Sequence, residues 1–191
     1  MKKSEPNRTL ADVHSMVNEA VELADIELRR HNVRLTHYVA ARLPPVMVDT
    51  ILIEQVLVNL MKNGAEAIQH ANRPPSGRSV ELRVVPKHVE DREVVEFSVQ
   101  DTGKGLAPEV LERLFEAFFS TKEEGMGMGL NLCRSIVESH HGRMQVQNIY
   151  NGDEVVGCCF SFWIPVQSRL TPEPGPGASA ATSLTDIERA R

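Results

Sequence analysis

Apolar residues recur every three or four positions near the start of the chain. Val13, Val17, Ala20, Val21, Ala24 and Leu28 fall on one face, which predicts a helix that buries one side and stops at Asn32. The pattern then switches to alternation in VRLTHYV, a strand broken by Pro44 and Pro45. Helical period returns from Asp49 to His70, where Ile53, Val56, Leu57, Leu60, Gly64 and Ile68 are apolar or small, and this segment reads as the central helix. ANRPPSGR is a turn by composition. SVELRVV and EVVEFSVQD both alternate and predict neighbouring antiparallel strands joined by the charged PKHVEDR. A short helix, PEVLERLF, begins at Pro108, and a longer one runs from about Gly127 to His141 and stops at Gly142. RMQVQNIY and EVVGCCFSFWIPV close the series as strands joined at Asn151, Gly152 and Asp153. Helices and strands interleave in a mixed order, an α+β pattern.

Composition sets the borders. Beyond Val166 the chain is rich in Pro, Gly, Ala and Ser with almost nothing to bury, so residues 167–191 are expected to be a disordered tail, residues 1–9 a linker and residues 10–166 one domain. The 191 residues are 41% hydrophobic, enough for a real core, and a net charge of -5 argues against nucleic acid as a partner. No apolar run approaches membrane-spanning length, so no direct membrane contact is expected of the domain. Three cysteines, two of them adjacent, suit a reducing cytoplasm better than a disulfide framework; Cys158 and Cys159 would alternate faces in a strand.

Chemistry enters where polarity contradicts packing. On the central helix Asn59, Asn63 and Glu66 share one stripe; taken alone this also suits an ordinary solvated face, but an amide oxygen is a hard ligand fit for Mg²⁺. Asp101 ends a strand, and Thr102, Gly103, Lys104 and Gly105 turn the chain away; an ordinary Asp-Gly turn is one reading, and a carboxylate that accepts from an exocyclic amine such as adenine's is the other. Gly125, Gly127 and Gly129 run into a helix, an arrangement that cradles anions, although the spacing is neither that of the dinucleotide fingerprint nor that of a P-loop. Between them Phe115, Phe118 and Phe119 suit a lid or its hinge, with Lys122 as a mobile charge able to reach a phosphate.

The order of these features resembles the ATP-binding domain of two-component sensor histidine kinases, in the GHKL group that also holds gyrase and the ninety-kilodalton heat-shock chaperones. NLMKNGAEA matches the N box, DTGKG the G1 box, LFEAFFSTK the F box and GMGMGL the G2 box. The resemblance implies a Bergerat-type two-layer α/β sandwich, a mixed and mostly antiparallel sheet with helices on one face, and ATP and Mg²⁺ as ligands. It implies Asn63 as the metal ligand, with Asn59 and Lys62 beside the phosphates in the catalytic set. Asp101 would bind adenine, with Gly103, Gly105 and Leu106 close to the base. Glu66, Ala67 and Phe115 would line the site, Thr121 and Lys122 belong to the lid, and Gly125, Gly127, Met128, Gly129 and Leu130 surround the phosphates.

Several positions depart from the family pattern. Asn59 stands where ATP-hydrolysing relatives carry a water-activating glutamate, which favours phosphoryl transfer over hydrolysis. Gly64 replaces the usual Ala and loosens the helix slightly, and Cys158 or Cys159 falls where many relatives have Thr. His14 lacks the residues that surround a phosphoaccepting histidine and is read as surface or packing. The expected function is therefore the catalytic domain of a sensor kinase, whose partners are a histidine-bearing dimerisation hairpin outside this chain and a cognate response regulator. A serine kinase of the anti-sigma-factor kind and a non-catalytic nucleotide-binding module are the alternatives.

Overall fold

The computed structural model describes residues 6–116 and 129–166. Strand β1 (Thr9–Ala11) leads into helix α1 (Val13–Arg30), then β2 (Arg34–Val39), β3 (Val46–Val48), α2 (Thr50–Gln69), β4 (Ser79–Val89), β5 (Arg92–Asp101), the short α3 (Pro108–Arg113), α4 (Gly129–Ser139), β6 (Arg143–Asn151) and β7 (Glu154–Pro165).

Both long helices begin as their sequences dictate. The Asp12 carboxylate accepts the Ser15 amide proton at 3.0 Å and that of Asp49 accepts from Leu52 at 3.3 Å, each satisfying an amide that the first turn leaves without an intrahelical partner. Helix α1 ends where Asn32 turns left-handed at φ 53°, a conformation Asn tolerates better than most residues. Its apolar stripe, with Val17, Ala20, Ala24 and Leu28 buried, packs on α2.

The main sheet has the order β2-β4-β5-β7-β6; β2 runs parallel to β4 and the other pairs are antiparallel. Alternation decides the two faces. Val80, Leu82 and Val84 on β4, Val95, Phe97 and Val99 on β5, and Phe160, Phe162 and Ile164 on β7 are buried against the helix layer, where α2 crosses β4 and β5 and α4 crosses β6 and β7. Phe97 and Phe162, register partners on neighbouring strands, stack with centroids 4.8 Å apart, a pairing worth about 1 kcal/mol beyond the area it buries. The opposite face is largely polar, with Glu81, Arg83 and Gln100 exposed and Lys87 paired to Glu96 across β4 and β5, although Val94 is buried on it. The expected two-layer, mostly antiparallel architecture is present.

Three local expectations differ. PKHVEDR is not a connection: β4 and β5 run through it and turn at Glu90 and Asp91 alone, both left-handed at φ 49° and 61°. Pro86 is tolerated within β4 because β2 has already ended at Val39, opposite Val84, and β4 is an edge from there on. The left-handed residue after α4 is His141, at φ 61°, whereas Gly142 serves close packing: a Cβ there would lie 2.1 Å from the Trp163 carbonyl oxygen. Third, β1 and β3 form an antiparallel ribbon of three residues each, too short for their alternation to be read in sequence.

Candidate functional site

Period two along β5 places Asp101 on the same face as Val95, Phe97 and Val99, so the strand delivers its last side chain beneath the helix layer. Only 3% of Asp101 is exposed, and burial pushes its carboxyl up to about 6 even though the backbone amides of Gly103 and Cys158 donate to it. The Gly103 bond, to Oδ1 at 2.8 Å, folds the chain tightly around the carboxylate.

Helix α2 crosses directly above. A Cβ on Gly64 would lie 3.1 Å from Val80 and 3.2 Å from the Asp101 Cβ, and one on Gly103 would lie 3.1 Å from the Ala67 side chain. Gly64 is thus a site of close approach between helix and sheet, beyond the loosening expected of it. At the other end of the stripe, a Cβ on Gly129 would meet the Asn59 amide at 3.2 Å, and Asn59 Nδ2 donates to Cys133 Sγ at 3.1 Å. Asn63 and Glu66 occupy the turns between these ends. The fold therefore brings the Asp101–Gly103 turn, Ala67, Asn63, Asn59 and the first residue of α4 along one face of α2. Burial also pushes the Cys133 thiol up to about 11, so Asn59 faces a neutral sulfur.

Other expected site residues surround this line. Gly105 is left-handed at φ 71°, where a Cβ would be 2.3 Å from Val155. Leu106, Phe115 and Leu130 pack against the core, and the Arg134 guanidinium lies 5.3 Å from the Phe115 ring centroid. Lys62 and Asn59 also line a groove of about 520 Å³ together with Leu23, Val58, Leu132 and Ile136. Thr121, Lys122, Gly125, Gly127 and Met128, like Phe118 and Phe119, lie outside the described residues.

Three supporting residues were missed by sequence reasoning. Gly157 lets β7 approach: a Cβ there would lie 2.0 Å from the Asp101 carbonyl oxygen, and a lone glycine inside an alternating strand was the available signal. Arg73 and Asn148 hold the turn after Asp101 through backbone groups, and nothing in their sequence neighbourhood marks them. The three cysteines are free thiols, Cys133 and Cys158 buried and Cys159 half-buried on the opposite face.

A model of the histidine kinase-, DNA gyrase B- and HSP90-like ATPase family matches residues 48–168. The C4-dicarboxylate transport sensor protein DctS of Rhodobacter capsulatus is 39% identical over 172 residues, 90% of this chain and 25% of that protein. Sensor protein FixL of Bradyrhizobium diazoefficiens is 34% identical over 85% of this chain and 30% of its own length. This chain thus spans between a quarter and a third of these relatives. Among solved structures, full-length ShkA in complex with AMPPNP is similar over 85% of this chain and 32% of that one, with a TM-score of 0.68 and 26% identity. The catalytic domain of histidine kinase ThkA is similar over 84% of this chain and 96% of its own, with a TM-score of 0.65 and 27% identity. The family model covers more than half of the chain, and the chain belongs to the histidine kinase-, DNA gyrase B- and HSP90-like ATPase family.

Proposed function

We propose that this chain is the ATP-binding catalytic domain of a two-component sensor kinase, passing the γ-phosphoryl group of ATP to a histidine on a dimerisation hairpin outside the chain. The observation that carries this reading is the buried Asp101 carboxylate lying under the same helix face that carries Asn63 and Asn59. A carboxylate there accepts from the amine of adenine and repels the carbonyl that guanine presents. Gly103 and Ala67 pack closely beside it, with no room for a larger side chain on Gly103. At the far end α4 opens at Gly129, so amides of its first turn face the phosphates.

Asn63 offers the amide oxygen that holds Mg²⁺, flanked by Asn59 and Lys62; the ion supplies charge neutralisation of the phosphates when bound. Asn59 has no carboxylate to take a proton from water, so the site orients ATP for a nucleophile delivered from outside. Thr121, Lys122, Gly125, Gly127 and Met128 belong to the nucleotide-binding set in this reading. The names of the relatives and the AMPPNP complex of ShkA support it. A cytoplasmic setting and a response regulator as final acceptor go with it; among the described residues no helix is long and apolar enough to cross a membrane.

Displacement of a fluorescent ATP analogue tests the pocket: ATP should compete and GTP should not. Incubation with labelled ATP and the histidine hairpin of a sensor kinase tests the transfer, because phosphohistidine is lost in acid and phosphoserine is not. Failure of ATP to compete would overturn the reading, and acid-stable label on a partner would redirect it to a serine kinase.

A further inference from the structure

The chain leaves the sheet at Asp101 and does not enter another element until Pro108. Buried or half-buried backbone in such a stretch must find partners elsewhere. Thr102 stays tied to β4: its amide donates to the Ser79 carbonyl at 3.2 Å, and its hydroxyl donates to Gly77 O at 2.7 Å and accepts from Ser79 N at 3.0 Å. Beyond it, side chains from two distant places take over.

Arg73 sits in the turn after α2. Its Nε donates to Thr102 O at 2.8 Å, and one terminal nitrogen donates to Gly103 O at 3.4 Å and to Val156 O on β7 at 3.2 Å. The rigid guanidinium fork suits three carbonyls converging from two segments in a way an ammonium does not. Its own carbonyl accepts from Arg78 Nε at 2.9 Å. On the other flank Asn148 of β6 mimics a strand: its Oδ1 accepts from Leu106 N at 2.8 Å and its Nδ2 donates to Leu106 O at 2.7 Å. Gly105, between the two clasps, leaves no room for a side chain beside Asn148.

We propose that Arg73 and Asn148 are positioning residues for the nucleotide: together they hold the backbone from Thr102 to Leu106 as the wall against which the base lies and as the fixed root from which the following segment departs. Neither belongs to the four motifs, and each acts through the backbone it bonds rather than as a ligand contact in this reading. The inference rests on the ATP-binding reading above. Its chemistry is specific to the base end of the site, since both clasps bond the turn that follows Asp101 rather than the Asn59 end of α2.

The test compares two ligands on the whole chain, ADP and inorganic tripolyphosphate, with Arg73→Ala, Arg73→Lys and Asn148→Ala. Loss of charge-assisted and amide hydrogen bonds should weaken ADP about tenfold in Arg73→Ala and somewhat less in Asn148→Ala, while tripolyphosphate binding stays within about twofold. Arg73→Lys should recover part of the loss. Relaxing the turn also weakens the Gly103 bond to the ionised carboxylate, so the acid limb of ADP affinity should move to higher pH in Arg73→Ala. Circular dichroism and unfolding midpoints identify a misfolded variant, in which case Arg73→Lys and Asn148→Ala carry the comparison. Equal loss for both ligands in a folded variant, or ADP affinity unchanged, overturns the inference while leaving the pocket intact. Failure of the unsubstituted chain to bind ADP overturns the ATP-binding reading and this inference with it.

Discussion

At the scale of single residues, the proposed role of Asp101 joins stability and recognition with opposite signs. An acid whose pKa rises on folding stabilises the fold while protonated; this contribution is full below about 4 and is lost as pH climbs through about 6. In the proposed function the adenine amine is accepted by the ionised form, so ADP affinity should fall about tenfold per pH unit once well below that value. Asp101→Asn should bind weakly with a flat profile between pH 5 and 7.5, read by titration calorimetry; an unchanged slope would remove Asp101 from base recognition. Gly157 supports the same residue from behind. In Gly157→Ala the new methyl meets the Asp101 carbonyl oxygen, a backbone atom with little room to move, and the urea midpoint should drop by the equivalent of about 1–3 kcal/mol. Asp101, Gly103 and Gly105 were legible in sequence because a carboxylate ends an alternating strand and glycines break it. Arg73 and Asn148 were not, because their partners are main-chain groups 29 and 42 residues away, which carry no side-chain signature.

At the scale of elements, the site depends on how α2 and α4 are held together. His140, 2% exposed just past the end of α4, donates from Nδ1 to Ile136 O at 2.8 Å and accepts at Nε2 from Asp49 N at 3.0 Å, so the neutral ring ties the C-terminal end of α4 to the start of α2. Burial, with smaller contributions from Arg8 and His141, holds its pKa below the ordinary histidine range against the opposing pull of the Ile136 carbonyl and Asp49. A base with a lowered pKa stabilises the fold above its unfolded value, and the contribution is lost as pH falls through the lower folded value. His140→Phe leaves the Asp49 amide without its acceptor and should cost about 1–3 kcal/mol at pH 7.5, with the difference from the parent shrinking in acid, as thermal unfolding at several pH values would show. The long elements were legible because their periods are long: α1, α2 and the alternating strands need many residues in phase. The Glu90–Asp91 turn and the β1–β3 ribbon were not, since left-handed acidic residues and three-residue strands leave too little pattern to detect.

At the scale of the whole molecule, the proposed nucleotide site has a reacting end built from the Asn59 and Asn63 amides and the start of α4 rather than from acids. Asn59 stands against Gly129 and Cys133, where α2 meets the start of α4, and its side chain donates to a thiol that stays protonated at neutral pH. A glutamate in its place would present a carboxylate to the same corner and, unlike an amide, could take a proton from water. Asn59→Glu is therefore predicted to raise ATP hydrolysis by the isolated chain, measured as phosphate release, and to lower transfer to a supplied histidine hairpin, because water then competes with the external nucleophile. General-base assistance is worth about a hundredfold or more where geometry is good, and the lost bond to Cys133 sets a smaller cost on nucleotide affinity. Hydrolysis unchanged in a variant that still binds ATP would show that position 59 does not face the attacked phosphorus. The preference for transfer over hydrolysis would then have to come from residues other than position 59.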